Sequence, residues 1–271
     1  MYCIYTVHGF HFYHGAPAAN WLFYPVEWFL ARFTDQIVCI NAEDQKRAEG
    51  FHLRRGGAVV RIPGPGLDLN RFQPGAEERK PLRAKLSLSQ EDFVFLSVGE
   101  LNKNKNHETV IRAFAAIKQE RMKYLICGDG PERKRLNKLI AALGMEDSVF
   151  LCGYQENIER YYQCADCFLF PSLREGLGMA ALEAMACGLP LIAADNRGSR
   201  EYAGENAILC EAQNVVQFAS AMERIVADRR SRDAMAAASQ TIAERFSQEK
   251  TQAVMEQVYR RMDGRLHRTA G

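Results

Sequence analysis

The sequence predicts an α/β protein made of two Rossmann-like units of parallel sheet and helix, the first of them incomplete. Three observations carry that reading. Short runs rich in Val, Ile, Leu and Phe, such as FVFLSV at 93–98 and VFLCG at 149–153, recur along the chain. Helical patterns stand between them, the alternation that gives a doubly wound parallel sheet covered on both faces. A stretch rich in proline and glycine, PGPGLDLNRFQPG at 63–75, sets the earliest of these runs apart from the rest, as a connection between units does. The expected boundaries are 1–75 for a partial first domain, 76–248 for a nearly complete second domain, and 249–271 for a C-terminal helix and tail.

In the first part, CIYTV (3–7), QIVCI (36–40) and AVVRI (58–62) are strand candidates with helices between them. The segment NWLFYPVEWFLARF (20–33) is aromatic around most of its circumference. A helix lying on a membrane surface shows a strongly polar face, and this segment lacks one. Burial within the first domain is expected, with contact to a membrane or an acceptor as the second reading.

In the second part, FVFLSV leads to a helix from about Glu108 to Lys118, then to the strand YLIC (124–127). PERKRLNKLIAAL (131–143) follows as a helix with Pro131 at its first position. VFLCG, the helical NIERYYQC and the strand CFLF (167–170) come next. MAALEAMAC is a helix stopped by Gly188 and Pro190, and PLIAA (190–194) is again a strand. Helices at about 214–228 and 231–245 close the unit.

With 271 residues, 47% of them hydrophobic and 25% charged, the chain can fill a sizeable core. A net charge of +2 gives no reason to expect nucleic acid as a partner. No apolar run reaches the roughly 18 residues of a membrane span. The opening MYCIYTVHGF has no basic segment before its apolar residues, so no secretory leader is expected. Most of the eight cysteines sit in apolar, strand-like runs and read as core residues of a reducing, cytoplasmic compartment. Cys164 and Cys167, in CADC, have metal-ligand spacing, but no second such pair completes a four-ligand site, so packing is expected.

The chemistry concentrates in LREGLGMAALEAMACGLPLIAA (173–194), which sets Glu175 and Glu183 among small and apolar residues. Glu175 falls in a glycine-bearing loop after a strand, and Glu183 about one turn into the helix that follows. Amides at a helix start are unpaired and lie at the positive end of its dipole, and glycines let a phosphate approach. A carboxylate one turn further accepts hydrogen bonds from two adjacent sugar hydroxyls. By itself E-x7-E is a two-letter pattern, equally consistent with solvated acids. Three more loops at the same sheet edge favour the site: GELNKNKN (99–106) with Lys103 and Lys105, GDGP (128–131), and GYQEN (153–157). Ligands of open α/β sheets bind at that edge, and a nucleotide diphosphate fits.

The segments SVGELNKNKNHETVIRAF, LICGDGPERKRL, VFLCGY and FPSLREGLGMAALEAMACGLPLIAAD resemble, in order, the motifs of retaining glycosyltransferases of the GT-B fold, family 4. YTVHGFHFYHGAP and TDQIVCINAEDQKRA resemble the members that build exopolysaccharide and capsule repeat units. The resemblance implies catalytic roles for His8 and Glu175, the latter facing the donor hexose. It implies donor binding by Gly99, Lys103, Lys105, Gly128, Gly153, Tyr154, Gly176, Leu177, Gly178, Met179 and Glu183, with Glu183 on the ribose, Lys105 on the diphosphate, and Gly153 and Tyr154 beside the base. Gly198 and Glu201 would support the donor loop, and His11 and His14 have weaker claims. The donor would be a UDP- or GDP-sugar, and the acceptor a glycan, lipid-linked at the inner face of the membrane. No metal is expected, since no D-x-D pair is present and the protein's own positive groups serve the diphosphate.

Two departures stand out. Glu100 takes a place where the family commonly has an arginine. A complete two-domain transferase also needs on the order of 350 residues. An N-terminally truncated chain is therefore expected: a fragment, a shortened reading frame, or a product that needs another chain. That leaves an inactive nucleotide-sugar-binding fragment as the alternative function. A dinucleotide oxidoreductase is disfavoured for want of a G-x-G-x-x-G turn at the first strand.

Overall fold

The computed structural model describes residues 2–75, 79–117 and 121–269. The chain divides into two compact units, one formed by 1–67 with 245–271 and the other by 68–244. The division runs at 67/68 and 244/245, beside the expected boundaries at 75/76 and 248/249.

The first unit holds three parallel strands in the order β1-β2-β3: β1 Ile4–Val7, β2 Gln36–Cys39 and β3 Ala58–Arg61. Helix α1 (Tyr24–Ala31) follows a 3-10 turn at Ala18–Phe23, and α2 (Ala42–Ala48) joins β2 to β3. Asn41 caps α2, its side chain accepting from the Asp44 amide. Asp44 is itself fully buried, and its carboxylate is satisfied by the Phe10 amide and the Asn41 side chain. The core gathers Val7, Phe10, Phe12, Ile37, Cys39 and Phe51, with Tyr24 and Trp28 packed against it.

Only the inner edge of α1 takes part. Leu22 is 74% exposed, and Trp21, Phe23, Val26, Phe29, Leu30 and Phe33 are all exposed as well. This corrects the burial expected for 20–33: Ala31 alone within α1 is buried. Composition showed the apolar character of the segment, but not that one three-stranded sheet supplies cover for a single stripe.

The second unit has six parallel strands in the order β6-β5-β4-β7-β8-β9. After α3 (Arg79–Lys85) come β4 (Phe93–Val98), α4 (His107–Ala116), β5 (Met122–Cys127), α5 (Arg133–Ala142), β6 (Val149–Gly153), α6 (Ile158–Cys164) and β7 (Cys167–Phe170). Then follow α7 (Met179–Ala186), β8 (Leu191–Ala194), β9 (Ala207–Cys210), α8 (Val215–Ala227) and α9 (Arg229–Ala243). Lys118, the expected end of the first of these helices after a strand, lies outside the described residues. Pro131 stands two residues before α5, in the turn, rather than at its first position.

Strands β7 and β8 are buried along their whole length, as a sheet covered on both faces requires. The core joins Phe95, Tyr124, Ile126, Leu169 and Ile192 of the sheet to Ile111, Phe114, Phe218 and Met222 of the helices. Cys164 and Cys167 are core residues with free thiols. The polar centre of CADC is Asp166, which pairs with Arg79 at 2.5 Å and with the fully buried Arg83 at 2.7 Å. Arg83 also donates to the carbonyls of Cys164, Ser89, Gln90 and Asp92.

Helix α10 (Gln248–Thr269) belongs to the first unit. There the Gln36 side chain donates to the Val258 carbonyl and the Thr251 hydroxyl to the Gly64 carbonyl. Residues 270 and 271 of the expected tail lie outside the described residues. No described helix is long and apolar enough to cross a membrane.

Candidate functional site

The strand order fixes where a ligand can sit. From β4 the chain moves outward through β5 to β6, then returns to β7 beside β4 and runs the other way through β8 and β9. The connections leaving β4 and β7 part in opposite directions and open a crevice beyond the carboxyl ends of those strands. The loops at that point are 99–106 and 171–178. They are tied together: the Leu173 amide donates to the Asn104 carbonyl at 2.8 Å, and the Asn104 side chain to the Arg174 carbonyl at 2.9 Å.

One side chain from each loop meets the other. Lys105 Nζ donates to Glu175 Oε1 at 2.6 Å, both side chains being largely buried. Lys105 is held at its backbone by Asn102 Oδ1, and its ammonium stands 5.2 Å from the Phe170 ring centroid. Its stem runs past Gly99, where an added Cβ would lie 3.1 Å from Lys105 Cε. Behind Glu175, Arg197 Nε donates to its carbonyl, and Gly198 packs so closely that a Cβ would lie 2.8 Å from Glu175 Cβ. Glu201 ends the short 3-10 turn that follows.

Helix α7 starts at Met179, directly after Gly178. Gly178 has φ +95°, and a Cβ there would strike the Phe170 ring, so both backbone and space call for glycine. No side chain caps α7. The first-turn amides therefore face the crevice with the positive end of the helix dipole, an anion cradle of backbone only. Leu177 is buried beneath the loop and anchors it.

Beside this cradle lies a cavity of about 440 Å³, lined by Gly99, Gly128, Tyr154 and Glu183 among the expected residues. Arg71, Phe72, Cys127 and Gln155 line it too. Gly128 lies against the Gly99 carbonyl, with no room for a Cβ between the two loops. Gly153, at φ +73°, turns the chain into Tyr154, which is 78% exposed and offers an open flat face. Glu183 Oε2 accepts from the Tyr162 hydroxyl at 2.7 Å. Burial pushes the Glu183 carboxyl up, while the Tyr162 hydrogen bond and the positive charge of Arg71 pull it back down.

The geometry separates some of the expected residues. Lys103 lines a different cavity, of about 460 Å³, with Asn102, His107, Glu132 and Arg135. Glu100 lines the first cavity and accepts from the Asn102 side chain at 2.8 Å. His8 is exposed just past the carboxyl end of β1, in the first unit. The His11 ring lies 4.7 Å from that of Phe23, and the His14 amide donates to Glu43. Among the described residues no group of three His, Cys, Asp or Glu could hold a metal ion. Arg71, Phe72 and Tyr162 are the site residues that sequence reasoning missed. Arg71 and Phe72 fall in the stretch read only as a connection, and no spacing in the sequence ties them to Glu183.

Residues 78–241 match the family described as glycosyl transferases group 1. The EpsD protein of Bacillus subtilis (strain 168), named as a glycosyltransferase, is 37% identical over 262 residues, 94% of this chain and 68% of that protein. A Campylobacter jejuni N-acetylgalactosamine-N,N'-diacetylbacillosaminyl-diphospho-undecaprenol 4-alpha-N-acetylgalactosaminyltransferase is 31% identical over 171 residues, 62% of this chain and 47% of that protein. Several further relatives, D-inositol 3-phosphate glycosyltransferases, are spanned over only about half of their length. Among solved structures, Anabaena HepE in complex with UDP and glucose superposes with a TM-score of 0.82 at 21% identity, covering 96% of this chain and 71% of that one. At that identity the likeness speaks for the fold, which is GT-B.

Proposed function

Because the chain belongs to the glycosyl transferases group 1 family, we propose that it moves a hexosyl unit from a UDP- or GDP-sugar, with retention as in family 4. The acceptor in this reading is a lipid-linked glycan of exopolysaccharide or capsule synthesis. The observation that carries it is the Lys105–Glu175 pair at the sheet's switch point, flanked by the uncapped start of α7 and by the cavity that Glu183 lines.

Each group then has a task. Glu183 takes the ribose hydroxyls, and Gly153 and Tyr154 border the base. Lys105 and the backbone of Gly176–Met179 hold the diphosphate, and positive charge aimed at a leaving group stabilises it as negative charge develops. Glu175 faces the hexose. His8 is assigned to the transferred sugar on the strength of its motif. Metal is not called for, because the diphosphate already has a cation and a helix dipole. Lys103, on the same loop as Lys105, stays in the donor set as a second cation for the diphosphate, although its side chain lines the neighbouring cavity. EpsD, by name a glycosyltransferase, and the undecaprenol-linked acceptor in the name of the Campylobacter enzyme support this direction. So does UDP with glucose in HepE.

The apolar outer face of α1 supports a peripheral contact with the inner leaflet of the membrane. Arg32 stacks on Trp28 and Arg47 on Trp21, adding cations at its rim. Trp21→Ser with Phe29→Ser should lower cosedimentation with anionic phospholipid vesicles severalfold. Unchanged cosedimentation would refute the contact.

The second reading, donor binding without transfer, is favoured by the small first sheet of three described strands. A radiolabelled sugar-transfer assay with membrane lipid extract as acceptor decides between them. Transfer that is lost in His8→Ala and Glu175→Ala supports the enzyme reading, and donor binding with no transfer supports the second.

A further inference from the structure

We infer that Tyr162 is a positioning residue for the ribose-binding carboxylate: its hydroxyl locks Glu183 in one orientation on the cavity wall. The inference rests on the reading of Glu183 as the ribose acceptor.

Glu183 stands on a helix whose other residues are Met, Ala and Leu. A glutamate in such a setting is free to turn about its side-chain bonds and is pressed toward its neutral form by burial. Either would spoil it as an acceptor. A mobile side chain must be ordered each time ligand binds, and a protonated carboxyl carries a donor where two sugar hydroxyls need acceptors.

Tyr162 answers the first problem. It lies on α6, is fully buried, and has its ring fixed between those of Phe72 at 5.9 Å and Phe168 at 5.7 Å. Burial holds its hydroxyl far above the ordinary phenol range, so it acts as a donor at every physiological pH. The acceptor it meets is Glu183 Oε2, at 2.7 Å. A phenylalanine would fill the same space, so the hydroxyl serves the carboxylate rather than the core.

The same hydrogen bond answers the second, since a donor held against a carboxylate favours its charged form. Arg71 lines the same cavity, as do the carboxylates Glu100, Asp129 and Glu156. Its guanidinium is held by Glu159 Oε2 at 3.0 Å and by the Glu156 carbonyl at 3.1 Å and lies over the ring of Phe72, one of the two rings that fix Tyr162. The segment 68–75 is thus part of the nucleotide site and not only a connection.

The test uses the full chain and calorimetric titration with UDP, 2′-deoxy-UDP and 3′-deoxy-UDP at several pH values. The parent should prefer UDP to at least one deoxy analogue by about tenfold, the worth of one hydrogen bond to a charged group. Tyr162→Phe should shrink that preference to below about threefold and leave deoxy-analogue affinity within about twofold. A preference that survives in Tyr162→Phe, or a loss shared equally by all three nucleotides, overturns the role given to Tyr162. Circular dichroism checks that Tyr162→Phe is folded; in the folded variant the pH below which UDP affinity falls should move upward, and an unmoved profile likewise overturns the role given to Tyr162. Glu183→Ala separates the premise. If it leaves the preference intact, the ribose reading itself fails. If it removes the preference while Tyr162→Phe does not, only the positioning role fails.

Discussion

Replacing Lys105 with alanine tests the diphosphate site. In the free protein the ammonium lies 2.6 Å from Glu175 Oε1, with the two side chains 20% and 15% exposed. Two unit charges about 4 Å apart near a protein surface interact by about 4 kcal/mol before desolvation is counted. The diphosphate must share Lys105 with Glu175, so the gain on binding is smaller, and the usual net worth of a charge-assisted contact, about 1.5–3 kcal/mol, is the better guide. Lys105→Ala should therefore weaken UDP or GDP by roughly 10- to 150-fold. Uridine and guanosine carry no phosphate, and their affinity should hold within about threefold. The assay is isothermal calorimetry with each nucleotide beside its nucleoside. A proportional loss for both would mean that Lys105 acts by shaping the 99–106 loop, and the electrostatic reasoning would be wrong.

Two further expectations concern stability. Arg83→Met takes a fully buried donor from several carbonyls and one of its two arginines from Asp166, which keeps Arg79; the cost should fall toward the lower end of the about 3–5 kcal/mol for breaking a buried ion pair. Differential scanning calorimetry should show a clear drop in melting temperature, and an unchanged one would refute the role given to this arginine. The second concerns His107, whose ring is buried with neither nitrogen bonded. Burial first, and then the charge of Lys105, press its pKa down from 6.5 to about 3. Because the folded pKa is the lower one, the unfolded chain takes the proton first. Stability is full above pH 6.5 and is lost as pH falls toward 3, by up to about 1.4 kcal/mol per pH unit. His107→Phe should flatten that slope in urea melts, and an unaltered slope would contradict the assignment.

Much of the second unit was legible because its strands are short apolar runs that a sheet buried on both faces demands. FVFLSV, YLIC, VFLCG and CFLF became β4 to β7 nearly residue for residue. Two elements escaped. AILC, β9, is a brief run with an exposed leucine. RKPLRAK, α3, is so basic that it reads as surface, yet Arg83 lies at its centre with no exposure. Its burial depends on Asp166, 83 residues away, and no local pattern reports that. The Lys105–Glu175 meeting spans 70 residues. Motif order placed both residues at one sheet edge, but their pairing depends on β4 and β7 being neighbours, which the sheet order alone reveals. The Tyr162–Glu183 bond spans only 21 residues and still escaped, because a tyrosine in NIERYYQC looks like any core aromatic. The exposed face of α1 escaped for the opposite reason: apolar composition predicts that a surface wants cover, but not that cover is present.

The most direct measurement is a crystal structure of the full chain with UDP. The diphosphate is expected within about 3.2 Å of Lys105 Nζ and of the first amides of α7, with a ribose hydroxyl at the same reach of Glu183. UDP bound elsewhere on the chain, or bound at this edge with its ribose turned away from Glu183, would contradict that expectation.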